Sequence, residues 1–389
     1  MASRTEQITA RGLEILERLI AFDTTSRASN LALIAWVEAF LAERGIPSVR
    51  VPNSAGDKAN LLATIGPMAS GGVILSGHTD VVPIDGQAWA SDPWALTERD
   101  GRLYGRGSAD MKGFLALSLA AAERAQGLAR PIHLAFSHDE EVGCLGAPAL
   151  LQRLAADLPA PACAIIGEPT SMQAIAGHKG IAVYEVVVTG REAHSSLTHL
   201  GVSANMAAIR LMASLQRLAE SLTAAADPAS PYLPREATLT IGEIAGGTAL
   251  NILARTCRFI FDLRPLPGQD AHAILAPFFA EAAALDAALK SRAPEAGVVV
   301  TETALVPALA PEPGGVAEAM ARRLAGDNGP PRVASYVTEA GHFRAAGFSA
   351  VLCGPGSIDQ AHQPDEYVER AQIERGAAFM DRLLTELSA

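Results

Sequence analysis

The sequence predicts an α/β protein, a mostly parallel sheet flanked by helices with a smaller α+β domain inserted into it. Three observations predict this. Over residues 1–172, apolar strand-like runs alternate with helical periodicity, the mark of strand–helix–strand units with right-handed crossovers. Between 173 and 305 the order becomes strand–helix–strand–strand–helix–strand, which is ferredoxin-like. Apolar runs at 73–75, 132–136, 162–166 and 350–353 each lead directly into a cluster of His, Asp or Glu. In open α/β sheets ligands gather just beyond the carboxyl ends of parallel strands.

Taken in order, 8–20 and 29–44 place apolar residues three and four apart and read as amphipathic helices. Segments 60–65 and 73–75 read as buried strands. An Ala/Leu-rich helix follows at 111–125, with Asp110 where its N-cap would lie. Strand 132–136, helix 146–156 and strand 162–166 continue the alternation. In the insert, 181–189 alternates as a half-buried strand, followed by helix 203–222, strands 237–244 and 256–264, helix 270–289 and strand 298–304. The Pro-rich stretch 306–315 leads back to helix 316–325 and strand 350–353. The expected domains are therefore 1–172 with 306–389, and 173–305.

The length of 389 residues suits two domains, and 49% hydrophobic residues suffice for sizeable cores. Net charge is −11 with no basic stripe, which argues against a nucleic-acid partner. No apolar run of membrane-spanning length stands out, so no membrane partner is expected. The start, MASRTEQITARG, lacks the apolar core of a signal peptide. Cys144, Cys163, Cys257 and Cys353 show no CxxC spacing, which suits free thiols in a reducing cytoplasm.

Five segments end in side chains that bind metals: His78 and Asp80, Asp110, Glu140 and Glu141, Glu168, and His362. Two imidazoles and several carboxylates arriving at one sheet edge describe a site for two divalent ions, zinc foremost. Asp80 lies two residues after His78, on the same face of an extended strand, so its carboxylate can hold the imidazole from behind. Glu140 and Glu141, read as extended, point opposite ways: one can bind metal while the other moves a proton. Each residue alone has an ordinary structural explanation, Asp110 as a helix cap and Glu168 or His362 as part of a loop. The joint placement carries the metal reading. The chain has no G-x-S-x-G, Walker A, H-E-x-x-H or G-x-G-x-x-G motif.

The segments GHTDVVP, GSADMKG, DEEVG, GEP and AHQPDE, in this order, resemble the two-zinc aminoacylase/carboxypeptidase family of metallohydrolases. The resemblance spans essentially the whole chain and implies a zinc-peptidase-like fold with a lid and dimerisation domain. It implies that His78, Asp110 and Glu168 hold one ion, and that Asp110, Glu141 and His362 hold the other. Zn²⁺ is expected, with Co²⁺ as the alternative. Asp80 would orient His78, Glu140 would be the general base, and the 110–111 peptide bond would be cis. His194, in REAHSS, would stabilise the oxyanion from across a homodimer. Asn251 and Arg264 would grip the substrate carboxylate. The stretches around HTDVVPIDGQAWASDPWAL and YVTEAGHF imply an N-acetylated basic amino acid, N2-acetyl-L-ornithine, as the small-molecule substrate. Glu339 then has two readings: a partner for the substrate ammonium, or a helix-start carboxylate facing the dipole. Rival substrates are N-succinyl-diaminopimelate, other N-acyl amino acids and dipeptides. A non-catalytic binding protein on the same fold is the rival class.

Overall fold

The computed structural model describes residues 2–389. The chain divides into two compact units: 1–177 with 309–332 and 338–389, and 178–308 with 333–337. The second unit begins later than the expected 173 for a physical reason. Residues 174–176 hydrogen-bond within the first unit: Ala174 N–H to Asp327 Oδ2 (3.1 Å), Ile175 N–H to the Leu352 carbonyl (3.0 Å) and Ala176 N–H to the Arg332 carbonyl (3.0 Å).

The first unit is built on a six-stranded sheet ordered 48–52, 59–65, 132–137, 73–78, 163–169, 350–354. Strand Val73–His78 is central and pairs in parallel with both Ile132–Ser137 and Cys163–Pro169, and Ala350–Gly354 adds a fourth parallel strand. Strands Ala59–Ile65 and Ser48–Pro52 join antiparallel at one side. The four parallel strands are buried along their whole length, as expected of strands covered on both faces. Helices Arg4–Ile20, Lys112–Arg124 and Arg370–Leu387 pack on one another, and their apolar faces form one large core with the sheet. The first of these starts with a capping box, Ser3 with Glu6, which satisfies two otherwise orphaned N–H groups.

Features not expected include strand Ser48–Pro52, the C-terminal helix Arg370–Leu387, and a small sheet of Thr97–Arg99, Arg102–Tyr104 and Tyr367–Glu369. The three-residue strands lie below the length at which alternation can be read.

The second unit is a four-stranded antiparallel sheet ordered 238–246, 256–264, 181–189, 297–306, with helices Ala204–Ala224 and Ala271–Arg292 packed on it. Its order and connections are ferredoxin-like. Strand Ile181–Thr189 alternates strictly between buried and half-buried, with Ala182, Tyr184, Val186 and Val188 in the core. Helix Ala271–Arg292 corrects one expectation, since by length and composition it could cross a membrane. Its Leu275, Phe278, Leu285 and Leu289 instead pack into the core of this unit.

Candidate metal centre

Four of the five expected metal-ligating segments follow the carboxyl ends of the four parallel strands. His78 is the last residue of the central strand and Glu168 lies near the end of its neighbour. Glu140 and Glu141 follow Ser137 on the other neighbour, and His362 lies beyond Gly354. Asp110 completes the set from the loop before helix Lys112–Arg124.

Two glycines let this helix approach the strand ends. A Cβ on Gly77 would lie 2.7 Å from the Met111 methyl, and one on Gly167 would lie 1.9 Å from the Phe114 ring. Each glycine immediately precedes a ligand candidate, so the small residues in the GH and GEP motifs serve close approach.

His78, Asp110 and Glu141 form a metal-binding cluster, each offering a ligand atom within 4.8 Å of the others. His78 Nε2 lies 3.0 Å from Asp110 Oδ1. His362 Nε2 lies 3.0 Å from Glu141 Oε2 and 3.4 Å from Asp110 Oδ2. Asp110 thus stands between the two imidazoles, one on each carboxylate oxygen. Glu168 is buried and its Oε1 has no hydrogen-bond partner. A buried, unpartnered carboxylate oxygen beside this cluster is what an additional donor to a cation would present. Two imidazoles and three carboxylates suit divalent zinc or a similar ion.

The electrostatics agree. Burial, and then the charges of Asp110 and Glu140, push Glu168 well above the usual carboxyl range. Glu140 is pushed well above it by burial, with Glu141 and Asp110 adding to the effect. Burial would raise Asp110 too, but hydrogen bonds from His362 and His78 hold it well below its ordinary value. The hydrogen bonds to Asp110 and Glu141 lift His362 to about 10. Burial alone would lower His78, yet Asp110 raises it well above the usual imidazole value. Without metal, the two histidines supply the positive charge that the carboxylates demand.

The structure departs from expectation at several positions. Asp110 is not a helix cap: Met111 occupies the N-cap position, without a side-chain cap bond, and the carboxylate serves the cluster instead. The Asp110–Met111 peptide bond, by contrast, is cis as expected. Asp80 holds His78 through its backbone, whose carbonyl accepts from Nδ1 at 2.9 Å, while its carboxylate stays 3.8 Å away. That carboxylate instead accepts from Ser26 Oγ (2.8 Å) and from the N–H groups of Glu140 (3.1 Å) and Glu141 (3.3 Å). Glu140 and Glu141 lie on a turn, not an extended segment. Their side chains still part: Glu141 meets His362, and Glu140 accepts from Cys144 Sγ at 3.4 Å.

Glu339 is 1% exposed and accepts from Ser76 Oγ at 2.6 Å, while its Oε2 has no partner. Burial raises its carboxyl above the ordinary range, which favours the neutral form. Glu339 stands at the N-cap of helix Ala340–Ala345, the place its helix-start reading expects.

In the second unit, His194 bridges Ile252, and the Ser195 N–H donates to the Asn251 carbonyl at 2.9 Å, which puts His194 and Asn251 side by side. Arg264 ends strand Thr256–Arg264 at the opposite end and pairs with Asp262 (2.9 Å). Eight strand steps separate Thr256 from Arg264, roughly 27 Å at the usual rise. The structure therefore does not bring Asn251 and Arg264 together within one chain. Sequence reading missed Ser26, Ser76 and the Lys58–Asp139 ion pair beside the Glu140 turn. A single serine or lysine in a loop carries no pattern that could have marked it.

This fold and this cluster define a metal-dependent hydrolase. The chain belongs to Peptidase family M20/M25/M40, whose profile matches residues 74–386. An acetylornithine deacetylase of Myxococcus xanthus is 35% identical over 379 residues, covering 94% of this chain and 95% of the relative. One of Proteus mirabilis (strain HI4320) is 36% identical over 389 residues, covering 96% and 95%. Among solved structures, an M20 family metallo-carboxypeptidase from Sulfolobus solfataricus superposes with TM-score 0.76 at 18% identity, covering 97% and 99% of the two chains. A dinuclear metal-binding M20 peptidase of Bacillus subtilis gives TM-score 0.66 at 15% identity, covering 98% and 99%.

Proposed function

We propose that this chain hydrolyses the N-acetyl amide of N2-acetyl-L-ornithine to L-ornithine and acetate, a step of arginine biosynthesis, using two Zn²⁺ ions. The observation that carries the reading is the gathered donor set, with Glu140 standing off it, in a chain whose near full-length relatives are named acetylornithine deacetylases. His78, Asp110 and Glu168 would hold one ion, and Asp110, Glu141 and His362 the other. Bound there, the ions would supply Lewis acidity and a water made nucleophilic near neutral pH. Glu140 takes the proton of the attacking water and passes it to the leaving amine. Its position on the turn held by Asp80 gives it a fixed aim, and its buried setting suits a proton carrier working near neutral pH.

We further propose a homodimer formed through the second unit. The separation of His194 and Asn251 from Arg264 supports it, because one small substrate cannot meet both ends of one strand. The partner subunit's His194 would steady the oxyanion, while Arg264 would bind the substrate carboxylate as a bidentate fork. The second copy would cover an exposed face of this unit. Edge strand Thr238–Gly246 lies beside a groove of about 520 Å³ lined by Ile209, Met212, Leu239, Ile241 and Ile244. Four free, buried cysteines fit work in a reducing cytoplasm.

The test is a substrate panel on the metal-loaded protein: N-acetylornithine, N-acetylmethionine and N-succinyl-diaminopimelate. The highest kcat/KM is expected on N-acetylornithine. Preference for the succinyl compound would replace this reading with a desuccinylase.

A further inference from the structure

Glu366, the last residue of the AHQPDE motif, is 1% exposed, as is Arg106 of the GRGSADMKG segment. Neither serves in the metal cluster. The Glu366 carboxylate collects four hydrogen bonds. Oε2 accepts from Arg106 Nη1 (2.8 Å) and the Gly107 N–H (3.0 Å). Oε1 accepts from the N–H groups of Ala109 (2.9 Å) and of Asp110 itself (3.0 Å).

The backbone brings these groups together. Strand Tyr367–Glu369 pairs with Arg102–Tyr104, Tyr367 opposite Tyr104, and the Gly105 N–H donates to the Glu366 carbonyl at 3.0 Å. The loop carrying His362 is thereby stitched to the loop carrying Asp110. Gln87 adds a third tie: its Oε1 accepts from Arg106 Nη2 and its Nε2 donates to the His362 carbonyl at 2.9 Å. Asp365 Oδ1 accepts from the Ala90 N–H at 2.8 Å. A buried ion pair contributes little net stability compared with apolar packing. Its four directed, charge-assisted bonds do fix geometry.

We propose that Glu366, braced by Arg106 and Gln87, is a positioning residue that holds the Asp110 and His362 loops at metal-binding distance before any ion arrives. It acts through the Asp110 backbone N–H and through the loop it shares with His362. The inference rests on the metal-centre reading proposed above.

The experiment compares full-length wild type with Glu366→Gln and Glu366→Asp. Zn²⁺ affinity is read by competition with a chromogenic chelator, and site geometry by the visible spectrum of the Co²⁺-loaded protein. In Gln an NH₂ replaces one acceptor oxygen. In Asp the charge stays but the side chain loses a methylene and falls short of the Ala109 and Asp110 N–H groups. Both variants are expected to bind Zn²⁺ about 10–100-fold more weakly, the usual cost of losing support behind a ligand, with an altered Co²⁺ spectrum. Folded variants with wild-type affinity and spectrum overturn the proposal.

If neither variant folds, amide hydrogen exchange on the metal-free wild type decides. Protected N–H groups at Gly107, Ala109 and Asp110 support pre-organisation, and exchange at open-loop rates overturns it. A wild type that takes up no divalent ion would sink the metal-centre reading and this inference together. Metal uptake with unperturbed variants sinks the positioning role alone.

Discussion

Asp80 Oδ1 accepts the backbone N–H of Glu140 at 3.1 Å. The same side chain takes the Glu141 N–H and the Ser26 hydroxyl, while its main-chain carbonyl takes His78 Nδ1. One residue thus sets the tautomer of a candidate ligand and the aim of both neighbouring glutamates. Asp80→Ala leaves the His78 contact, which is backbone, but frees the Glu140–Glu141 turn. The expected result is a loss of about 10–100-fold in metal affinity or turnover. A variant with wild-type kcat and metal affinity would show that the turn needs no such anchor.

The parting of Glu140 and Glu141 gives a sharper test. Glu141 reaches the His362 imidazole at 3.0 Å, whereas Glu140 accepts from Cys144 Sγ and stands off the cluster. Glu140→Ala should keep two bound ions and lose about 10²–10⁴-fold in kcat. Asp110→Ala, which removes the carboxylate shared by both imidazoles, should disturb both ions. Metal analysis on the two variants checks this, and a missing ion in Glu140→Ala would exchange the roles of the two glutamates.

Much of this was legible in the sequence because strand ends and ligands coincide. The runs before His78, Glu140 and Glu168 are long, apolar and buried, so their period and their polar termini stand out. What stayed hidden depends on tertiary contact. That Asp110 is not a cap follows from where the helix starts, one residue beyond Met111. The turn at Glu140–Glu141 is drawn by Asp80, some sixty positions earlier in the chain. Separation along the strand, not any motif, sets Arg264 apart from Asn251. Glycines were visible in the GH and GEP motifs, but their purpose was not. Only the packed helix reveals that Met111 and Phe114 fill the space a side chain would need.

The raised imidazoles imply that metal loading expels protons. Hydrogen bonds to Asp110 and Glu141 lift His362 to about 10, and Asp110 lifts His78 against burial. A raised value means that the metal-free protein holds these protons at neutral pH, while a metal needs the bare nitrogen. Apparent affinity should therefore rise with pH as His362 titrates, up to about 10. Calorimetry of Zn²⁺ binding at pH 7, in two buffers of different ionisation enthalpy, should give different heats. Equal heats would mean that no net proton leaves and that the histidines are already neutral.

Glu339 tests how charge is read at this site. Its Oε1 accepts from Ser76 on the central strand, its Oε2 has no partner, and burial raises its carboxyl above the ordinary range. If burial keeps this carboxyl neutral, Glu339→Gln changes little that a substrate cation could sense, because a carboxylic acid and an amide have nearly the same shape and no net charge. The variant should therefore keep the wild-type ratio of kcat/KM for N-acetylornithine over N-acetylmethionine, whatever common change it makes to both. An ionised pocket carboxylate would behave differently. Its loss would weaken the ornithine substrate alone, by about 1–3 kcal/mol, the scale of a lost charged partner. A selective loss of that size would show that Glu339 is ionised and within reach of the substrate despite its burial. An unchanged ratio assigns it to the support of the central strand, and the ammonium is then recognised by another group.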